Sequence, residues 1–61
     1  MKPLLYISLQ RDGSIRAVWE NGESWESARF YDKTKRAVAR ELKRRYGVKC
    51  SKDVLANLLV V

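Results

Sequence analysis

Two closely spaced dipeptides, Asp12-Gly13 and Asn21-Gly22, constrain this chain more than any other feature. A type I′ turn needs positive φ at both central positions, and these pairs supply it, so each signals a two-residue β-hairpin loop. The flanking segments agree. Leu4 to Gln10 (LLYISLQ) and Ile15 to Glu20 (IRAVWE) are rich in β-formers. Glu23 to Tyr31 (ESWESARFY) extends the pattern as a third strand, diluted by two serines and two glutamates. Lys2-Pro3 reads as a frayed start. The outcome is a three-stranded antiparallel meander.

Two-residue loops also set a register. Pairing Arg11 with Ser14 brings Leu9 opposite Arg16, Ile7 opposite Val18 and Leu5 opposite Glu20, while pairing Glu20 with Glu23 brings Val18 opposite Trp25. One sheet face is then Leu5, Ile7, Leu9, Val18 and Trp25. The other has Tyr6 opposite Trp19, with Leu4, Ile15, Ala17 and Ala28. Both faces are substantially apolar and one helix covers only one of them. The expectation is that it covers the Leu5–Ile7–Val18–Trp25 side.

That helix is Asp32 to Gly47, DKTKRAVARELKRRYG. At 100° per residue, Val38, Ala39, Leu42 and Tyr46 fall within about a 100° arc, with Lys35 among them. Lys33, Arg36, Arg40, Lys43 and Arg44 fill an opposite arc of similar width. Asp32 is the expected N-cap and Gly47 the C′ residue, with Val48 folding back on Leu42 or Lys43. Beyond it, Ser51 reads as a second N-cap, Asp53 lies in the first turn, and Cys50 with Leu55 form a staple. The tail Ser51 to Val61 (SKDVLANLLVV) suits a short helix with an apolar face at Val54, Leu55, Leu58 and Leu59; its end suits a strand equally well.

Sixty-one residues form one domain at most, 1–61, with a marginal core. One Cys and no His exclude an internal disulfide and a Cys/His metal site, so ordinary packing or a second chain must complete the core. The lone thiol fits a reducing compartment. There is no leader pattern and no long apolar run, so a soluble cytoplasmic protein is expected. The net charge of +6 is one-sided. Residues 1–31 carry four basic side chains against four acidic, whereas residues 32–61 carry nine against three. Such asymmetry favours a polyanion, with a merely solvated helix face as the plain alternative.

Catalysis is hard to build from these residues. General acid–base work lacks a His, and every Gly is explained by a turn or cap. Glu20, Glu23 and Glu26 cluster near the second turn, as a solvated group more often than a cation site. Cys50 between Lys49 and Lys52 at a helix start is a conceivable nucleophile; a small hydrophobic staple is the simpler reading. The expectation is a non-enzymatic protein without metal or cofactor. The basic arc is the better candidate. It lacks enough acidic partners to neutralise it, since only Asp32 reaches Arg36 and Glu41 lies to one side with Arg45. Discharge by phosphates would release counterions without reading bases. Lys33, Arg36, Arg40, Lys43 and Arg44 are therefore the candidate nucleic-acid contacts, for DNA in preference to RNA. An acidic protein surface is the other partner this basic arc would take. Tyr6 and Trp19, with Leu58 and Leu59 of the tail, are interface candidates: the aromatic pair could stack on unpaired bases, but covering by the terminal segment, a protein interface or a homodimer is the simpler reading.

Two resemblances follow from these stretches. RFYDKTKRAVARELKRRYG resembles the passage from last strand to helix in the arm-type DNA-binding domain of tyrosine recombinases, a three-stranded sheet on one helix. That family lays its sheet in the major groove; here the sheet half is neutral, so the helix is the expected contact. Glu41-Leu42, Gly47, Cys50-Ser51-Lys52 and Leu55 resemble a family of short lambdoid-phage early-region proteins, which implies a phage or prophage accessory role. The expected fold is α+β: a three-stranded antiparallel β-meander packed on one amphipathic helix, then a short C-terminal helix or strand. The expected function is nucleic-acid backbone binding, with a protein-interaction module as the alternative and no membrane partner.

Overall fold

A computed structural model describes residues 2–61 and has an α+β architecture. Three antiparallel strands come first: β1 (Lys2–Leu9), β2 (Ile15–Asn21) and β3 (Ser24–Phe30). Helix α1 (Lys35–Glu41) runs into a π-helical turn (Leu42–Tyr46). The chain then makes strand β4 (Val48–Lys49), helix α2 (Lys52–Ala56) and strand β5 (Leu59–Val60). The tail is thus both helix and strand.

The sheet is larger than a meander. Its order is β3-β2-β1-β4, and β5 also joins β1. Both late strands run parallel to β1 along the edge that β2 leaves free. Val48 and Lys49 pair with Lys2 and Pro3, and Leu59 and Val60 pair with Ser8 and Leu9. Lys2-Pro3 is therefore ordered strand, and Pro3 is tolerated because it precedes the first residue that pairs with β2. Helix α2 bridges β4 and β5.

The first turn overturns the expected register. Only Gly13 has positive φ there, 87°. Asp12 stays out of the left-handed region because its Oδ1 accepts from the Ser14 N–H (2.9 Å) and the Ser14 hydroxyl (2.6 Å). The Gly13 N–H donates to the Gln10 carbonyl, and the Gln10 N–H to Ser14 O. The loop is Arg11-Asp12-Gly13, the three-residue type with a left-handed third residue. That extra residue sets Leu9 opposite Ile15 and Ile7 opposite Ala17. A one-residue slip turns β1 over relative to β2. The second loop, Gly22-Glu23, closes on Asn21 and Ser24, so Trp25 faces Glu20 instead of Val18. This shift is even, and Val18 and Trp25 keep their common face.

The core forms on the face that the slip assembles. Leu4, Ile7, Ile15, Ala17, Trp19 and Phe30 from the sheet pack with Val38, Leu42 and Val48. Helix α1 therefore covers this side, not the Leu5–Ile7–Val18–Trp25 side. Between Leu4 and Tyr6 the register shifts at a bulge, which lets Leu4 join the core opposite Trp19. Tyr6, Arg16, Val18, Glu20, Trp25, Ser27 and Arg29 share the opposite face. Val54, Leu55 and Leu58 close the core from the tail.

The N-cap of α1 is Thr34, whose hydroxyl accepts from Ala37 N–H at 3.2 Å, not Asp32. Asp32 has φ 55°, a conformation its short polar side chain tolerates, and turns the chain out of β3 before the helix begins. Gly47 ends the π turn at φ 67°, its N–H donating to Leu42 O. Ser51 caps α2, accepting from Val54 N–H.

Candidate nucleic-acid interface

The basic surface lies on the outside of α1 and its π turn. Val38 and Leu42 are buried, which turns Arg36 and Arg40 to solvent. A π turn closes i→i+5 bonds and takes about one more residue per turn than an α-helix. Continued α geometry would swing Arg45 toward the buried seam. The wider turn holds Arg45 out, while Tyr46, on the apolar seam already at an α period, packs with its ring 5.0 Å from that of Trp19. Arg44 is left close to the line of Arg40. The depression between them is lined by Lys33, Ala37, Arg40, Glu41 and Arg44.

The five expected contacts are not equivalent. Lys33 lies before the helix, and its Nζ is 2.7 Å from Glu41 Oε2. Arg45 holds the other carboxylate oxygen at 2.9 Å. These two hydrogen bonds, from Lys33 first and then Arg45, keep the Glu41 carboxyl below its ordinary pKa; Glu41 in turn raises that of Arg45. Lys35 donates to the Leu55 carbonyl at 3.2 Å and ties α1 to α2. Arg36, Arg40, Lys43 and Arg44 are exposed, and among the described residues none has a carboxylate within 4.0 Å. Four free cations on one short segment remain.

The expected aromatic pair does not exist. Trp19 is 2% exposed, and its Nε1 donates to Glu26 Oε1 at 3.3 Å. Tyr6 is half-buried opposite Val18 on the other side of the sheet. Trp25, expected on the covered face, is 72% exposed, and Tyr31 is exposed as well. Leu58 is half-buried against the core, and Leu59 is exposed on β5.

Glu26 also meets Lys2 at 3.9 Å, and no three His, Cys, Asp or Glu side chains converge among the described residues. Cys50 is half-buried, and burial pushes its thiol above the ordinary range, opposite to the lowering expected from Lys49 and Lys52. No described helix is long and apolar enough to cross a membrane. No family model, curated protein or solved structure matches the chain.

Proposed function

We propose that this protein binds nucleic-acid backbone, DNA in preference to RNA, through Arg36, Arg40, Lys43 and Arg44, as a non-enzymatic accessory protein of phage or prophage origin. The supporting observation is the uneven use of acid in the second half of the chain. Glu41 is committed to Lys33 and Arg45, while the four neighbouring cations have no carboxylate partner. Each like pair at helical spacing costs a few tenths of a kcal/mol, a cost that phosphates would offset. Lys33 is a lesser contact because binding must first compete with Glu41.

The test is a titration of labelled duplex DNA and RNA at low and moderate salt. It is repeated with Arg36→Glu, Arg40→Glu and Lys43→Glu combined. Salt-sensitive binding that disappears on reversal supports the reading. Failure to bind at low salt sinks it and favours a protein-interaction module. That second reading draws on the exposure of Trp25 and of Leu59, Val60 and Val61, apolar side chains suited to a protein partner.

A further inference from the structure

Strand β3 is a seven-residue sheet edge with neither a proline nor a register shift against β2. Proteins ordinarily blunt such an edge, because its free N–H and C=O groups template pairing with another chain. Here no described strand lies beyond it. The residues that present those groups can be identified. Gln10 N–H bonds Ser14 O, and the ladder alternates, so even-numbered residues of β2 bond toward β1 and odd-numbered ones toward β3. The odd residues of β2 pair with Ser24, Glu26, Ala28 and Phe30. Trp25, Ser27 and Arg29 therefore turn their backbone donors and acceptors outward.

We propose that the β3 edge joins two copies of this chain, paired antiparallel about Ser27 with Trp25 of each copy opposite Arg29 of the other. Three observations converge on that register. It matches all three outward-facing residues with outward-facing residues. Centring on Glu26 or Ala28 loses one match, and the Glu26 centre also sets two carboxylates face to face. Centring on Arg29 opposes two guanidiniums. Next, Trp25 and Arg29 lie on the same open face, so the pairing lays a guanidinium against an indole that is now 72% exposed. Lastly, Arg29 already stands directly opposite Arg16 across the β2–β3 ladder, an unfavourable like-charge pair. The second copy's indole gives Arg29 a partner.

The two-fold axis of this pairing stands perpendicular to the sheet, so both α1 helices lie on one side of a continuous sheet. The dimer does not depend on nucleic acid, and its test excludes nucleic acid and uses high salt to silence polyanion effects. Sedimentation equilibrium from micromolar to millimolar protein should show a reversible dimer. Trp25→Ala should raise its dissociation constant by about tenfold or more, as removal of a central aromatic does. Ser27→Pro should abolish it while leaving the circular dichroism spectrum unchanged, since the lost N–H points away from β2. If that variant does not fold, cross-linking decides. In a Cys50→Ser background, Ser27→Cys should give a disulfide-linked dimer on mild oxidation and Ser24→Cys should not. A monomer at every concentration overturns the proposal. So does a dimer that survives Ser27→Pro, or equal cross-linking from both cysteine variants.

Discussion

Tyr46 lies against Trp19 with ring centroids 5.0 Å apart and planes tilted by 44°. The contact joins the last turn of the helical segment to the middle strand of the meander. The π turn carries both Tyr46, which packs on the sheet, and Arg45, which bonds Glu41 at the surface. One backbone irregularity thus serves the core and the basic face together.

The aromatic contact should be expensive to lose. Trp19→Ala removes the largest buried side chain and should cost about 3–5 kcal/mol. A domain of this size holds roughly that much in total, so the variant should be unfolded at room temperature. Tyr46→Leu keeps most of the apolar contact and should cost about 1 kcal/mol. Circular dichroism reads the first as a lost native spectrum, and urea unfolding followed by tryptophan fluorescence measures the second.

Glu41 controls how many cations are free. Glu41→Gln releases Lys33 and Arg45 and should tighten DNA binding at low salt. Lys33→Ala should weaken binding less than Arg40→Ala. Four phosphate contacts predict a slope of log affinity against log salt of about −3 to −4 for the parent. Anisotropy titrations at several salt concentrations give these slopes. Weaker binding by Glu41→Gln would contradict the assignment of roles.

Two carboxylates tie stability to pH. The hydrogen bonds from the Ser14 hydroxyl and N–H lower the pKa of Asp12 from an ordinary 3.8, and Lys33 and Arg45 lower that of Glu41 from 4.5. Groups lowered in the folded state stabilise fully above their unfolded pKa, and that contribution is lost as pH falls through the folded value. The urea midpoint should therefore fall between about pH 5 and about pH 3. It should fall less in Asp12→Ala combined with Glu41→Gln. Equal acid sensitivity in the two proteins would be the contrary result.

Gly47→Ala tests the helix end. A Cβ there meets no atom within 4 Å, so the cost comes from φ 67° alone. About 1–2 kcal/mol should be lost, read as a lower melting temperature with the basic face intact.

Cys50 should react slowly. Burial raises its pKa from 9.0 and leaves little thiolate near neutrality. A chromogenic disulfide reagent should label it more slowly in native than in urea-unfolded protein.

The three meander strands and their order were legible because alternating β-formers and Gly turns are local signals. The register was not. It depended on whether Asp12 would point its carboxylate at Ser14, and that one side-chain choice decided which face of β2 and β3 joined Ile7 and Leu9 of β1 in the core. The misplacement of Trp19 and Trp25 followed from it. Parallel pairing of β4 and β5 with β1 was also hidden, since it joins distant segments and each late strand has two residues. Within the candidate site, sequence identified the cations and the Glu41–Arg45 pair. The tie from Lys33 to Glu41 spans eight positions and needed the turn at Asp32 and the cap at Thr34 to form.

The placement of β1 between early and late strands bears on how the molecule assembles. Its edge toward β2 can zip as a hairpin within microseconds. Its other edge must wait for Leu59 to reach Ser8, and closing so long a loop is slow. We therefore expect two kinetic phases, a fast meander followed by capture of the tail. Pulse-labelling hydrogen exchange would separate them: protection at Ala17 should precede protection at Val61, whose N–H bonds Leu9 O only once the tail has docked. Simultaneous protection of both would mean that the tail belongs to the folding nucleus.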